Sequence, residues 1–111
     1  MKVIKAVIQP HKLELVREAL TAVPEFPGMT ISRVDGCGPA LDKEGHDQDV
    51  REQLTDFSHK VRLEILAPDE IAGKLAELIH RVAHTGQTGD GIVWITAVES
   101  FERIRFPVAG S

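Results

Sequence analysis

A chain of 111 residues and 12.2 kDa is long enough for one domain with one core, burying roughly 65% of the surface its unfolded form exposes. With 42% hydrophobic and 27% charged residues, it is neither collagen-like nor low-complexity, and no apolar run approaches the roughly 18 residues of a bilayer span. A formal charge of −4 sets it apart from general nucleic-acid and membrane-surface binders, which are more often basic.

Val3 to Ile8 reads as a strand, with Ile4, Ala6 and Ile8 on one face and Val3, Lys5 and Val7 on the other. Pro10 stops it and suits the first turn of a helix, on which Leu13, Val16, Leu20 and Val23 fall at helical spacing. The segment Pro24 to Gly28 breaks that helix, and Met29 to Asp35 is a second strand rich in Thr, Ile and Val. Gly36 to Phe57 has no sustained apolar period and reads as a long loop, of a length that is usually functional or disordered. Lys60 to Ala67 alternates cleanly as a third strand. Pro68-Asp69-Glu70 opens a second helix, with Ile71, Leu75, Leu78 and Val82 as its buried stripe. A glycine-rich turn, Thr85 to Gly91, leads into a fourth strand from Ile92 to Val98, and an extended tail follows from Glu102 to Phe106.

The order β-α-β-β-α-β is the ferredoxin-like plan, an α+β fold with an antiparallel sheet and both helices on one face. The last strand is apolar on both sides, Ile92, Trp94 and Val98 alternating with Val93, Ile95 and Ala97. Its open face is therefore expected to pack against other copies of the chain, the alternative being cover by a tail or loop. A lone cysteine that cannot form an internal disulfide, and an N-terminus without an apolar signal-peptide core, make a reducing cytoplasm the expected setting.

Four features carry chemistry. Thr85-Gly86-Gln87-Thr88-Gly89-Asp90-Gly91 can aim successive amides into an anion nest, or can be a tight connection in which Asp90 bonds its own turn. Arg103 and Arg105, two apart on an extended tail, face the same way and form a fork for phosphate oxygens; the plainer reading is solvated charge. Lys60 adds a third cation, and Gly36-Cys37-Gly38 ends the second strand with permissive backbone.

Taken together, the stretch Thr85 to Gly91, the following Ile92-Val93-Trp94-Ile95 and Arg103-Ile104-Arg105 are similar to the C-terminal signature of the PII nitrogen-signalling family. Gly28-Met29-Thr30, Gly36-Cys37-Gly38, Asp56-Phe57 and Lys60-Val61 fall at matching positions. The Trp94 region with Val98-Glu99 looks more like a divergent PII-like branch often associated with metal-efflux transporters. The resemblance implies a homotrimer that binds ATP or ADP in the clefts between subunits. It also implies a mobile loop, about residues 39–57, that docks on a target protein such as a membrane transporter. Carried over by position, Thr30, Gly36, Cys37, Gly38 and Leu66 would line adenine and ribose, and Gly89, Asp90 and Gly91 would meet ribose and phosphates. Lys60, Arg103 and Arg105 would hold phosphates, the arginines from the neighbouring chain, and Arg51 would be the loop cation that meets the partner.

The departures from the family pattern are specific. Its lysine after Gly-Asp-Gly is Ile92 and its lysine inside the turn is Gln87, which shifts the implied preference toward ADP or AMP. The loop glutamine that helps hold magnesium and 2-oxoglutarate falls at Pro39, Ala40 or Leu41, so 2-oxoglutarate is not carried over and magnesium is left open. With no tyrosine in the chain, the loop-tip tyrosyl modification is excluded. A second reading is a metal-binding trimeric ferredoxin-like protein involved in metal tolerance, resting on His80 and His84 at i and i+4, with His46, Asp47 and Asp49 in the loop. RNA recognition lacks its stacking aromatics, with one Trp and no Tyr. No nucleophile, base and acid spacing suggests an enzyme.

Overall fold

The computed structural model describes residues 1–37 and 57–108. Its elements are β1 (Lys2–Ile8), a 3₁₀ turn (Pro10–Lys12) running into α1 (Leu13–Thr21), β2 (Thr30–Gly36), β3 (Ser58–Ala67), α2 (Asp69–Ala83) and β4 (Gly91–Ala97). The four strands form one antiparallel sheet in the order β2-β3-β1-β4. The β-α-β-β-α-β arrangement expected from the sequence is the one observed, and each strand end lies within two residues of its expected place.

Pro10 has the consequence expected of it, with a twist. The preceding Gln9 is held extended (φ −67°, ψ 137°), as a residue before proline must be. The chain then winds first as a tight 3₁₀ turn closed by the Lys12 amide on the Gln9 carbonyl at 3.0 Å. Val23, assigned to the helical stripe, lies past the end of α1 but is still buried.

The core lies between the helices and one sheet face. Ile4, Ala6 and Ile8 of β1 and Val61, Leu63 and Ile65 of β3 meet Val16 and Leu20 of α1 and Leu75 and Ile79 of α2. Each fully buried Leu or Ile contributes about 1.5–3 kcal/mol. The stripe on α2 differs from the expected one. Ala72, Leu75, Ile79 and Ala83 are fully buried, while Ile71, Leu78 and Val82 flank them half-buried. Small alanines let the helix sit close to the sheet, and apolar periodicity alone ranks them below the larger residues on the margin.

The opposite face has no covering layer among the described residues. By register it carries Val3, Lys5 and Val7, flanked by Leu66, Glu64 and Arg62 on one side and by Thr96, Trp94 and Ile92 on the other. Ile92 is 62% and Trp94 37% exposed, so the apolar open face inferred from the last strand is present in the folded protomer. After β4, the Val98 amide bonds the Met1 carbonyl at 3.2 Å. The tail thus leaves the sheet at the Lys2 end.

Candidate functional site

The glycine turn closes on itself. The Asp90 carboxylate accepts from the Thr85 hydroxyl, from the Thr85 amide at 2.7 Å and from the Gly86 amide at 2.9 Å. The Asp90 amide returns a bond to the Gln87 carbonyl at 3.3 Å. Gly86, Gly89 and Gly91 all take positive φ (88°, 96° and 112°), as expected for a turn of this composition. The first anion held by these amides is therefore the protein's own Asp90. This is the self-bonded turn that the sequence left open as one of two readings, and it commits the Thr85 and Gly86 amides within the turn.

Asp90 makes a pH-dependent contribution. The Thr85 hydroxyl first, then the Thr85 and Gly86 amides, favour the charged carboxylate and bring its pKa down to about 2. A depressed carboxylate stabilises above its ordinary value near 3.8 and loses that contribution as pH falls toward 2. Amide resonances of Thr85 and Gly86 are expected to titrate together with a midpoint near pH 2 in the native protein, and not in Asp90→Asn. Native shifts with a midpoint near the ordinary 3.8 would contradict the assignment.

Lys60 reaches the same turn from β3. Its Nζ donates to the Gly89 carbonyl at 2.6 Å, and the Gln9 side-chain amide donates to the same oxygen at 2.7 Å. Gly36, at the end of β2, lies alongside: a Cβ there would sit 3.5 Å from Lys60 Cγ. Cys37 follows directly and is exposed. Gly38 and Arg51 lie outside the described residues, as do His46, Asp47, Asp49 and the loop at 39–56.

The tail is not extended as expected. The Phe106 amide bonds the Arg103 carbonyl at 3.1 Å and turns the chain. Each guanidinium then lies over an aromatic ring, Arg103 at 5.6 Å from the Phe101 centroid and Arg105 at 4.6 Å from the Phe106 centroid. With no neighbouring strand to hold them straight, the arginines follow their own aromatics. They line a shallow recess with Ile104 and Pro27, just ahead of β2.

The predicted site residues thus fall into two groups at opposite ends of the sheet. Gly36, Cys37, Lys60, Gly89, Asp90 and Gly91 stand at the Ile8 end. Leu66 pairs with Val3 at the Lys2 end, Thr30 begins β2 opposite Glu64, and Arg103 and Arg105 extend from the tail beside Pro27. Six residues along β3, about 20 Å, separate Lys60 from Leu66. Gln9 is the contributor that sequence reasoning missed. Its place at the strand end, ahead of the helix-starting proline, is visible in the sequence, but its contact with the turn after α2 is not.

His80 and His84 have ring centroids 6.1 Å apart, and His84 Nδ1 lies 3.9 Å from Asp90 Oδ2. Asp90 is already committed to its turn, and among the described residues no group of three His, Cys, Asp or Glu side chains is placed to hold a metal. No helix there is long and apolar enough to cross a membrane.

The sequence model of the family described as "Nitrogen regulatory protein P-II" matches residues 1–107. The chain is 39% identical over 107 residues to the nitrogen regulatory protein P-II of Azospirillum brasilense, and 42% identical over 107 residues to that of Haemophilus influenzae. It is also 42% identical to nitrogen regulatory protein P-II 1 of Escherichia coli K12; each match covers 95% of this chain and 92% of the relative. The match runs over nearly the whole length and the ferredoxin-like sheet agrees with it, and the chain belongs to the nitrogen regulatory protein P-II family.

Proposed function

We propose that this chain is a non-enzymatic signalling regulator of the cytoplasm, assembled as a homotrimer that binds adenine nucleotide between subunits. Regulatory signalling through nucleotide and a target protein is typical of the P-II family. The single observation that carries the reading for this chain is the division of its anion-binding groups between two ends of one sheet.

One protomer offers glycine-turn backbone and Lys60 at one end and two guanidiniums at the other. A closed ring of head-to-tail contacts sets the second group of each protomer against the first group of the next. It also gives the uncovered face, with its exposed Trp94 and Ile92, a partner. The two halves then supply complementary chemistry: backbone and an ammonium from one side, and planar forks suited to phosphate oxygens from the other. Thr30, Gly36, Cys37, Gly38 and Leu66 are the contacts proposed for adenine and ribose. With Ile92 and Gln87 uncharged, the site suits ADP or AMP as well as ATP.

The segment at about 39–57 is proposed as the arm that meets the target, with Arg51 as its anchoring cation and a membrane transporter as the target. Nucleotide controls such an arm only by contacting its two states differently, and about 1–3 kcal/mol of coupling is enough for a useful switch. Light scattering is expected to give three times 12.2 kDa, and calorimetry to show saturable ADP binding at one site per protomer. A stable monomer, or no heat with ADP, ATP or AMP at millimolar concentration, would overturn the reading.

A further inference from the structure

The Gly89 carbonyl is used twice, by a neutral amide from Gln9 and by the Lys60 ammonium. A carbonyl oxygen has two lone pairs, so these two donors saturate it. We propose that Gln9 is a positioning residue for anion binding: by holding the Gly89 carbonyl it fixes where the Lys60 ammonium stands on the lip of the glycine turn. The inference rests on the nucleotide-binding reading of this site and adds a residue and a mechanism to it.

The geometry favours Gln9 for this part. Its backbone is pinned on both sides, by β1, which ends at Ile8, and by Pro10, which restricts its ψ. Its carbonyl is tied to the Lys12 amide at 3.0 Å. The side chain therefore leaves a fixed point. Gly89, by contrast, sits at φ +96°, and the turn itself holds its peptide plane by one long bond, from the Asp90 amide to the Gln87 carbonyl at 3.3 Å. Gln9 is the neutral group that holds the carbonyl side of that plane from outside the turn. Lys60 is a long flexible side chain that loses rotamer freedom when held. Anchoring its Nζ on a fixed oxygen removes that cost before ligand arrives and leaves the ammonium's other protons for a phosphate oxygen.

If Gln9 works through Lys60, the two positions must be coupled. Gln9→Met keeps the length of the side chain and removes the donor. It is expected to weaken ADP binding about 5-fold in the native background. In a Lys60→Met background the same change is expected to alter affinity less than 2-fold, measured by equilibrium dialysis with ADP up to millimolar concentration. A purely structural role would give the same factor in both backgrounds and would overturn the proposal, as would an unchanged affinity in Gln9→Met alone.

A ligand-free measurement keeps the inference separate from the nucleotide reading. Lys60 in Gln9→Met is expected to react several-fold faster with an amine-acetylating reagent than in the native protein, other lysines being unchanged. Equal Lys60 rates would overturn the anchoring even where ADP binds. Absence of ADP binding by the native protein would instead remove the nucleotide reading while leaving the labelling result to stand.

Discussion

Replacing Arg103 and Arg105 together by alanine is expected to weaken ADP binding at least about 100-fold while the protein stays folded. Hydrogen bonds to charged groups each contribute about 1.5–3 kcal/mol, so losing two forks removes about 3–6 kcal/mol, and every 1.4 kcal/mol is about tenfold. The cost to stability is small, because the guanidiniums lie over Phe101 and Phe106 on an exposed tail, where such contacts are worth about 0.5–1 kcal/mol each. Calorimetry with ADP reads the affinity and a circular dichroism melt reads the fold. Affinity within threefold of the native protein, with an intact melt, would place the phosphate site elsewhere.

The second large effect is on stability. Gly91 begins β4 at φ +112°, and a Cβ there would collide with the Val7 carbonyl and close on Ile8 Cα. Neither can yield, since β1 is the inner strand paired to β3 as well as to β4. Gly91→Ala is expected to cost about 3 kcal/mol, from unfavourable backbone conformation together with the clash, and to lower Tm by about 10 °C or more. Gly89→Ala is the control. Its φ is also positive, but a Cβ there meets only Gln9 Nε2 at 3.2 Å and Lys60 Nζ at 3.6 Å, which are the ends of side chains that can move. Thermal melts that ranked Gly89→Ala as the more damaging of the two would contradict this account of the turn.

Much of this was legible in the sequence because strand alternation and helical spacing are local signals. The strands around Ile4 and Leu63 follow from alternation and that around Ile95 from a short apolar run, with their ends set by Pro10, Pro68 and the glycines. What the sequence did not carry was contact between distant segments. Gln9 and Gly89 are eighty positions apart, and nothing in the residues near either announces their bond. The tail misled for a related reason. Arg103-Ile104-Arg105 has the spacing of a strand, but the chain turns there, and the nearby Phe101 and Phe106 rings hold the guanidiniums. Asp90 was weighed both as a ligand contact and as a turn brace, and hydrogen bonds from Thr85 and Gly86 show that its carboxylate braces the turn.

A division of the anion site between protomers is tested most directly by a crystal structure of the protein with ADP. The account requires the phosphates to lie between Lys60 with the Gly89–Gly91 backbone of one chain and Arg103 with Arg105 of its neighbour. Density for ADP that touches the turn and the tail of the same chain, or clefts left without nucleotide at saturating ADP, would contradict it.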